Sequence, residues 1–257
     1  MNDSRHRVSL LQEIEKVFPE LKLAGNEKIK RWWLSHYDYL LSLAQYYLPD
    51  QSRILEIGAG YAILAGLLSE ISGELWVTEH PSREYFWKEE YLNLFRKRKV
   101  YVVAQDLIDG LPFKSEVFNA VFFCDVIEHL PIHLIPQIIE EIKRVLKPNG
   151  LLVLSTPNLC RLELRLKLLL GYSPNPPLFQ PIYGKTYGHL REYSLEEVQT
   201  LIRPYFKIIK FSFRLLPVFS TRLLKRQWYI VWRFFNICKR IFPGMRDEIY
   251  VVAQKIG

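Results

Sequence analysis

Carboxylates at Glu56, Glu79, Asp106, Asp125 and Glu128 stand at or just beyond the ends of short apolar runs, and imidazoles stand at His129 and His189. In an open α/β sheet such strand ends are where ligands are held. The sharpest signal is Glu56-Ile57-Gly58-Ala59-Gly60, in which an apolar strand runs into two glycines and then directly into a helical apolar pattern. Gly58 and Gly60 remove Cβ where the chain turns sharply and where backbone must approach a ligand, and the helix that follows offers free N–H groups at its start. A dinucleotide fingerprint, G-x-G-x-x-G, would place its third glycine at Ile63, so a hydride-transfer enzyme lacks its close helix–strand packing site here. Glu56 suits a cofactor that carries an ammonium group, and S-adenosylmethionine is such a cofactor. Glu79 closes the next strand-like run about 20 residues on, the offset at which a doubly wound fold places the acceptor for ribose hydroxyls. Methyl transfer from a sulfonium mainly requires an aligned nucleophile. A hydroxyl nucleophile gains further from a base that titrates near neutrality, a role suited to histidine.

E-I-G-A-G resembles the first motif of class I S-adenosylmethionine-dependent methyltransferases, usually [D/E]-x-G-x-G-x-G, with Ala62 in place of the last glycine. Further on, Asp125-Val126-Ile127-Glu128-His129-Leu130 resembles the end of the fourth strand in the type 11 methyltransferase group. The run EIKRVLKPNGLLVLSTPN matches that group's helix, K-P-x-G turn, strand and S-T-P-N loop. Gly188-His189-Leu190-Arg191-Glu192-Tyr193-Ser194 is similar to the group's H-[LIV]-R-x-[FY]-[ST] segment, whose loop reaches the methyl acceptor. The resemblance covers roughly residues 53–202. It implies a doubly wound, Rossmann-like α/β sheet and O-methylation of a small molecule, a lipid-linked intermediate or a glycan. It implies a cofactor site of Glu56, Gly58, Ala59, Gly60, Glu79, His80, Asp106, Leu107, Asp125 and Val126, in which Asp106 meets the adenine amino group. It points to His129 and His189 as the candidate catalytic residues, His129 having an equal reading as a structural residue behind Glu128, and Tyr187 and Arg191 are the expected acceptor contacts. Asp125, Glu128, His129 and His189 also resemble the metal ligands of small-RNA 3′-end ribose methyltransferases. That family carries a further histidine where Tyr187 stands, and no metal is expected. A protein that binds the cofactor without turnover is the remaining alternative.

These groups need strands at about 53–57, 74–79, 100–104, 118–124 and 151–154 and a last strand at 249–253. Residues 137–146 carry a one-sided helical pattern, Ile138, Ile139, Ile142, Val145 and Leu146, stopped by Lys147-Pro148-Asn149-Gly150. Ser194 and Glu197 form a capping box that starts another helix. Residues 1–50 read as a helical cap before a cofactor-binding domain at 51–257. Residues 161–170 alternate charged and apolar residues as a strand does, yet their length and Leu/Lys/Arg content also suit a helix, which is what the resemblance implies. Residues 172–187 hold four prolines between two glycines and read as a loop over the site. With 257 residues and 49% apolar content the chain can bury a full core. No apolar run is long enough to span a bilayer and no secretory leader is visible, so cytoplasm is the expected location. Cys124, Cys160 and Cys238 are too few and too scattered for a disulfide framework or a Cys-based metal site. The net charge of +8 gathers towards the end of the chain, where no acidic residue occurs between Arg203 and Arg246. This basic, aromatic segment is expected to form a helical insertion at about 211–246 that either packs on the core or touches an anionic membrane. Its charge also permits nucleic acid.

Overall fold

The computed structural model describes residues 2–18, 27–174, 189–216 and 226–257. Seven strands form one sheet: β1 (Arg53–Ile57), β2 (Glu74–Glu79), β3 (Tyr101–Ala104), β4 (Phe118–Cys124), β5 (Leu146–Pro157), β6 (Phe206–Arg214) and β7 (Glu248–Lys255). Their order is β3-β2-β1-β4-β5-β7-β6, with β7 antiparallel to both its neighbours and the other pairs parallel. This is the doubly wound α/β architecture that the motifs imply.

The helices are α1 (Asn2–Val17), α2 (Glu27–Tyr47), α3 (Ile63–Leu68), α4 (Glu89–Arg96), α5 (Ile135–Val145), α6 (Leu162–Leu169), α7 (Leu195–Ile202) and α8 (Arg226–Ile241). Successive strand residues face opposite sides of a sheet, and the core divides accordingly. Ala120 and Phe122 pack with Leu10, Ile14, Leu40 and Leu64 from α1, α2 and α3. Val121 and Phe123 pack with Ile138, Ile142 and Val198 from α5 and α7. The one-sided pattern read from the sequence is the buried face of α5 continued into Leu146. α1 lies so close on α3 that a Cβ at Gly66 would stand 2.7 Å from the Leu10 side chain.

Two expectations need correction. Residues 206–214 begin the basic segment as an edge strand, so its helical part among the described residues starts at α8. Antiparallel pairing with β7 from Phe206 to Arg214 gives that backbone its partners, and lysines on an exposed edge discourage further strand addition. The fifth strand is also longer than 151–154. It begins at Leu146, opposite Phe118, and passes through the Lys-Pro-Asn-Gly segment with a register shift and Asn149 at φ 60°.

The chain builds β2 and β3 on one side of β1 and β4 and β5 on the other. The crevice at the carboxyl ends of β1 and β4 is therefore the topological switch point, where this fold binds ligands. No helix among the described residues is long and apolar enough to cross a membrane.

Candidate functional site

The turn after β1 is held from β2. Gly58 and Ala59 both donate their N–H groups to the Thr78 carbonyl, at 2.9 and 3.0 Å. The Glu79 carboxylate accepts from Gly60 N–H at 2.8 Å and from His80 N–H at 2.7 Å. Tyr91, fully buried, donates its hydroxyl to the Gly60 carbonyl at 2.8 Å. The N–H groups of Gly58, Ala59 and Gly60 are thus taken inside the turn, and what the glycines supply is space. A Cβ on Gly58, which has φ +77°, would stand 2.7 Å from Val126 Cγ2 at the end of β4. A Cβ on Gly60 would meet only the Gly58 carbonyl, at 3.9 Å, so this position opens on free volume. Ala62, where the motif usually has glycine, adopts φ 62° as the N-cap of α3. Holding a residue with Cβ in this left-handed region costs roughly 1–2 kcal/mol, which explains the usual glycine.

Glu56 is 4% exposed and its Oε2 has no hydrogen-bond partner. Burial, and secondarily the Glu79 charge, pushes this carboxyl well above its ordinary range. An unsatisfied buried acid beside an open glycine turn fits a ligand that brings a cationic group. At the outer end of the crevice Asp106 accepts from Ile108 N–H at 3.1 Å and lies 3.2 Å from His80 Nε2, while His80 Nδ1 meets Ser82 Oγ at 2.7 Å. Leu107 follows in a short 3₁₀ turn. The structure therefore brings Glu79, His80, Asp106 and Leu107 together along the ends of β2 and β3. Glu56, Gly58, Ala59 and Gly60 lie beside Asp125 and Val126 at the ends of β1 and β4.

Asp125, at φ 55°, accepts from Ser155 Oγ at 2.8 Å and lies 2.9 Å from Nε2 of His36, a fully buried residue of α2. His36 Nδ1 in turn meets the Tyr250 hydroxyl at 2.7 Å. Burial would raise the Asp125 carboxyl, but the His36 charge and the hydrogen bonds around it outweigh this and bring it to about 2. Burial and the neighbouring Asp125 charge push both Glu128 and Glu248 well up.

Glu128 is 1% exposed; its Oε2 accepts from Thr156 Oγ1 at 3.0 Å and its Oε1 lacks a hydrogen bond. His129 and His189 stand edge to face, with centroids 5.0 Å apart. His189 Nδ1 is 3.5 Å from Glu192 Oε1 and its Nε2 is 4.0 Å from Glu128 Oε1. Glu192 is itself clamped by the Arg161 guanidinium, whose Nη2 donates at 3.0 Å. The His189 segment is tied down through Leu190 N–H and Arg191 N–H, which both donate to the Glu128 carbonyl at 2.8 and 3.2 Å. Arg191 directs its guanidinium to Glu197, the capping-box carboxylate, and lies 5.4 Å from the Tyr193 ring centre. Tyr187 lies outside the described residues. Sequence reasoning missed His36, Glu248, Tyr250 and Glu192. A histidine on the same stripe of α2 as Leu40, Leu43 and Ala44 was the available sign for the first.

A family model described as a methyltransferase domain matches residues 26–204. The chain belongs to the methyltransferase domain family. Solved structures share its fold. A protein from Pyrococcus horikoshii OT3 is 18% identical, with a TM-score of 0.58, over 86% of this chain and 90% of that one. An Archaeoglobus fulgidus protein described as a SAM dependent methyltransferase is 17% identical, with a TM-score of 0.54, over 85% and 94%. A Thermotoga maritima protein described as a possible histamine N-methyltransferase is 22% identical, with a TM-score of 0.54, over 92% and 99%. No curated protein matches the sequence. This methyltransferase is therefore an enzyme of the class I fold that uses S-adenosylmethionine, and the open glycine turn with its unsatisfied Glu56 is consistent with that cofactor.

Proposed function

We propose that this methyltransferase methylates an oxygen of a small molecule, a lipid-linked intermediate or a glycan, as a type 11 enzyme of the cytoplasm. The observation that carries the reading is His189, partly exposed beside His129 and held between the carboxylates of Glu192 and Glu128. With Nδ1–H directed to Glu192, Nε2 is left as the acceptor that takes the proton from an acceptor hydroxyl. The cofactor, when bound, supplies a methyl group already activated on a sulfonium. The chain's own residues position and exclude. Glu56 faces the methionyl ammonium, Gly58, Ala59 and Gly60 leave room for the ligand, and Glu79 with His80 holds the ribose. Asp106 and Leu107 meet the adenine, and Asp125 and Val126 wall the crevice. His129, Arg191 and Tyr187 complete the acceptor side, and residues 1–50 act as a cap tied to Asp125 through His36. The free thiols Cys124, Cys160 and Cys238 suit a reducing compartment.

Incubation with methyl-labelled S-adenosylmethionine and a cell extract, followed by fractionation, tests the acceptor class. Label in the lipid, glycan or small-molecule fraction is expected; label confined to protein or RNA would overturn the reading. His189→Ala should lower kcat by about 10²-fold or more while leaving the cofactor Kd unchanged, because general-base catalysis contributes on this scale.

One observation favours a second reading, a metal-dependent RNA ribose methyltransferase. One ligand atom each from Glu128, His129 and His189 lie within 4.8 Å of one another. A carboxylate with two imidazoles is a donor set for a divalent transition metal. Label in RNA, together with activity lost to a chelator and restored by manganese, would establish this reading in place of the first.

A further inference from the structure

The described side chains of α8, from Arg233 to Ile241, include several apolar ones turned outward. Helices on the surface of a globular protein bury their apolar stripe and expose their charges. Here Phe234, Ile237 and Ile241 are 61%, 50% and 64% exposed, and Phe242 just beyond the helix is 54% exposed. One of the three charged residues of the same stretch, Lys239, is instead buried, at 5% exposed. Its ammonium donates to Asp247 Oδ1 at 2.6 Å and to Glu163 Oε1 of α6 at 2.5 Å. This anchor fixes the roll of the helix, so Phe234, Ile237 and Ile241 stay on its outward face. Arg233 and Arg240 are exposed beside it, giving an outward set at 233, 234, 237, 240 and 241, one face of an α-helix by spacing. Arg246 joins the end of α8 to the edge strand, donating to the carbonyls of Lys239 and Phe213 at 3.0 and 3.1 Å. On that strand Phe211 is 48% exposed, and Lys207 and Lys210 are exposed as well.

We propose that the outward face of α8, with the basic residues around it, docks this enzyme on the surface of an anionic phospholipid bilayer. Charge selects the partner. Eleven Lys and Arg residues and no Asp or Glu occur from Arg203 to Arg246. A second copy of the chain would bring this positive field against its own like. A nucleic acid would engage the arginines through phosphate but leave Ile237 and Ile241 in water. The interface of an anionic bilayer rewards both halves: apolar side chains enter the acyl boundary while Arg and Lys reach the headgroups. No helix among the described residues is long and apolar enough to span the bilayer, so the association is peripheral and reversible.

The test is co-sedimentation of the full chain with vesicles of phosphatidylcholine alone and of phosphatidylcholine mixed with phosphatidylglycerol, at low and high salt. Binding to the mixed vesicles only, weakened by salt, is expected. Phe234→Asp combined with Ile237→Asp alters two outward side chains, so circular dichroism and the melting temperature should stay as in the parent while vesicle affinity falls about tenfold or more. No sedimentation with the mixed vesicles, binding that the double variant leaves unchanged, or preferential binding of RNA over vesicles would overturn the proposal. The readout is independent of methyl transfer, so the acceptor assigned above stands or falls separately.

Discussion

Glu79 ties the turn with one carboxylate: it accepts from the Gly60 and His80 N–H groups and from the Tyr85 hydroxyl, the last at 3.4 Å. Loss of a charged acceptor is worth roughly 1.5–3 kcal/mol. Glu79→Ala should therefore weaken S-adenosylmethionine binding about tenfold or more by calorimetry, and unchanged affinity would remove Glu79 from the cofactor site. Gly58 offers a sharper case, since its substitution adds both a left-handed alanine and a contact 2.7 Å from Val126 Cγ2. Gly58→Ala should cost about 2 kcal/mol or more in urea unfolding. Val126→Ala in the same background should recover the steric part and leave the backbone part, about 1 kcal/mol. These residues were legible in the sequence because a glycine turn, a strand-end acid and their spacing are local signals. His36 and Glu248 were not, because their role comes from burial against Asp125, 89 and 123 positions away in the chain respectively, and no local pattern encodes such a meeting.

Among the elements, β1, β2, β4 and α5 carried their identity in apolar patterning, and each lies where that patterning places it. β6 did not, since an edge strand with lysines on its open side reads like a basic surface segment until β7 pairs with it. α8 resisted for another reason: periodicity reveals two faces of a helix, not which one turns inward. The anchor at Lys239 decides that, and it is testable. Lys239→Ala leaves Asp247, 8% exposed, without its cation, and removing one member of a buried pair typically costs about 3–5 kcal/mol. Urea unfolding should show a loss of this order, and Asp247→Asn added to that variant should recover part of it. A loss under about 1 kcal/mol would mean that the helix is held by its packing alone.

At the scale of the whole molecule, the buried acids give stability a direction with pH. Glu56, Glu128 and Glu248 all have folded values raised above the ordinary 4.5. Each therefore contributes stability that is complete below that value and is lost as pH rises through the raised one. Asp125, lowered from 3.8 to about 2, contributes in the opposite sense, fully above 3.8 and decreasingly as pH falls through about 2. The cofactor-free protein should accordingly melt highest in mildly acidic buffer and lose stability towards alkaline pH. Glu56→Gln should flatten that slope in thermal melts between about pH 5 and pH 9. β7 carries a consequence of another kind. It is made after the other six described strands, yet it lies between β5 and β6 and brings Glu248 and Tyr250 against Asp125 and His36. A nascent chain therefore displays its glycine turn and both histidines while the outer edge of β5 is still an unpaired row of N–H and C=O groups. During synthesis this edge is open to pairing with other chains until β7 has left the ribosome and paired with β5.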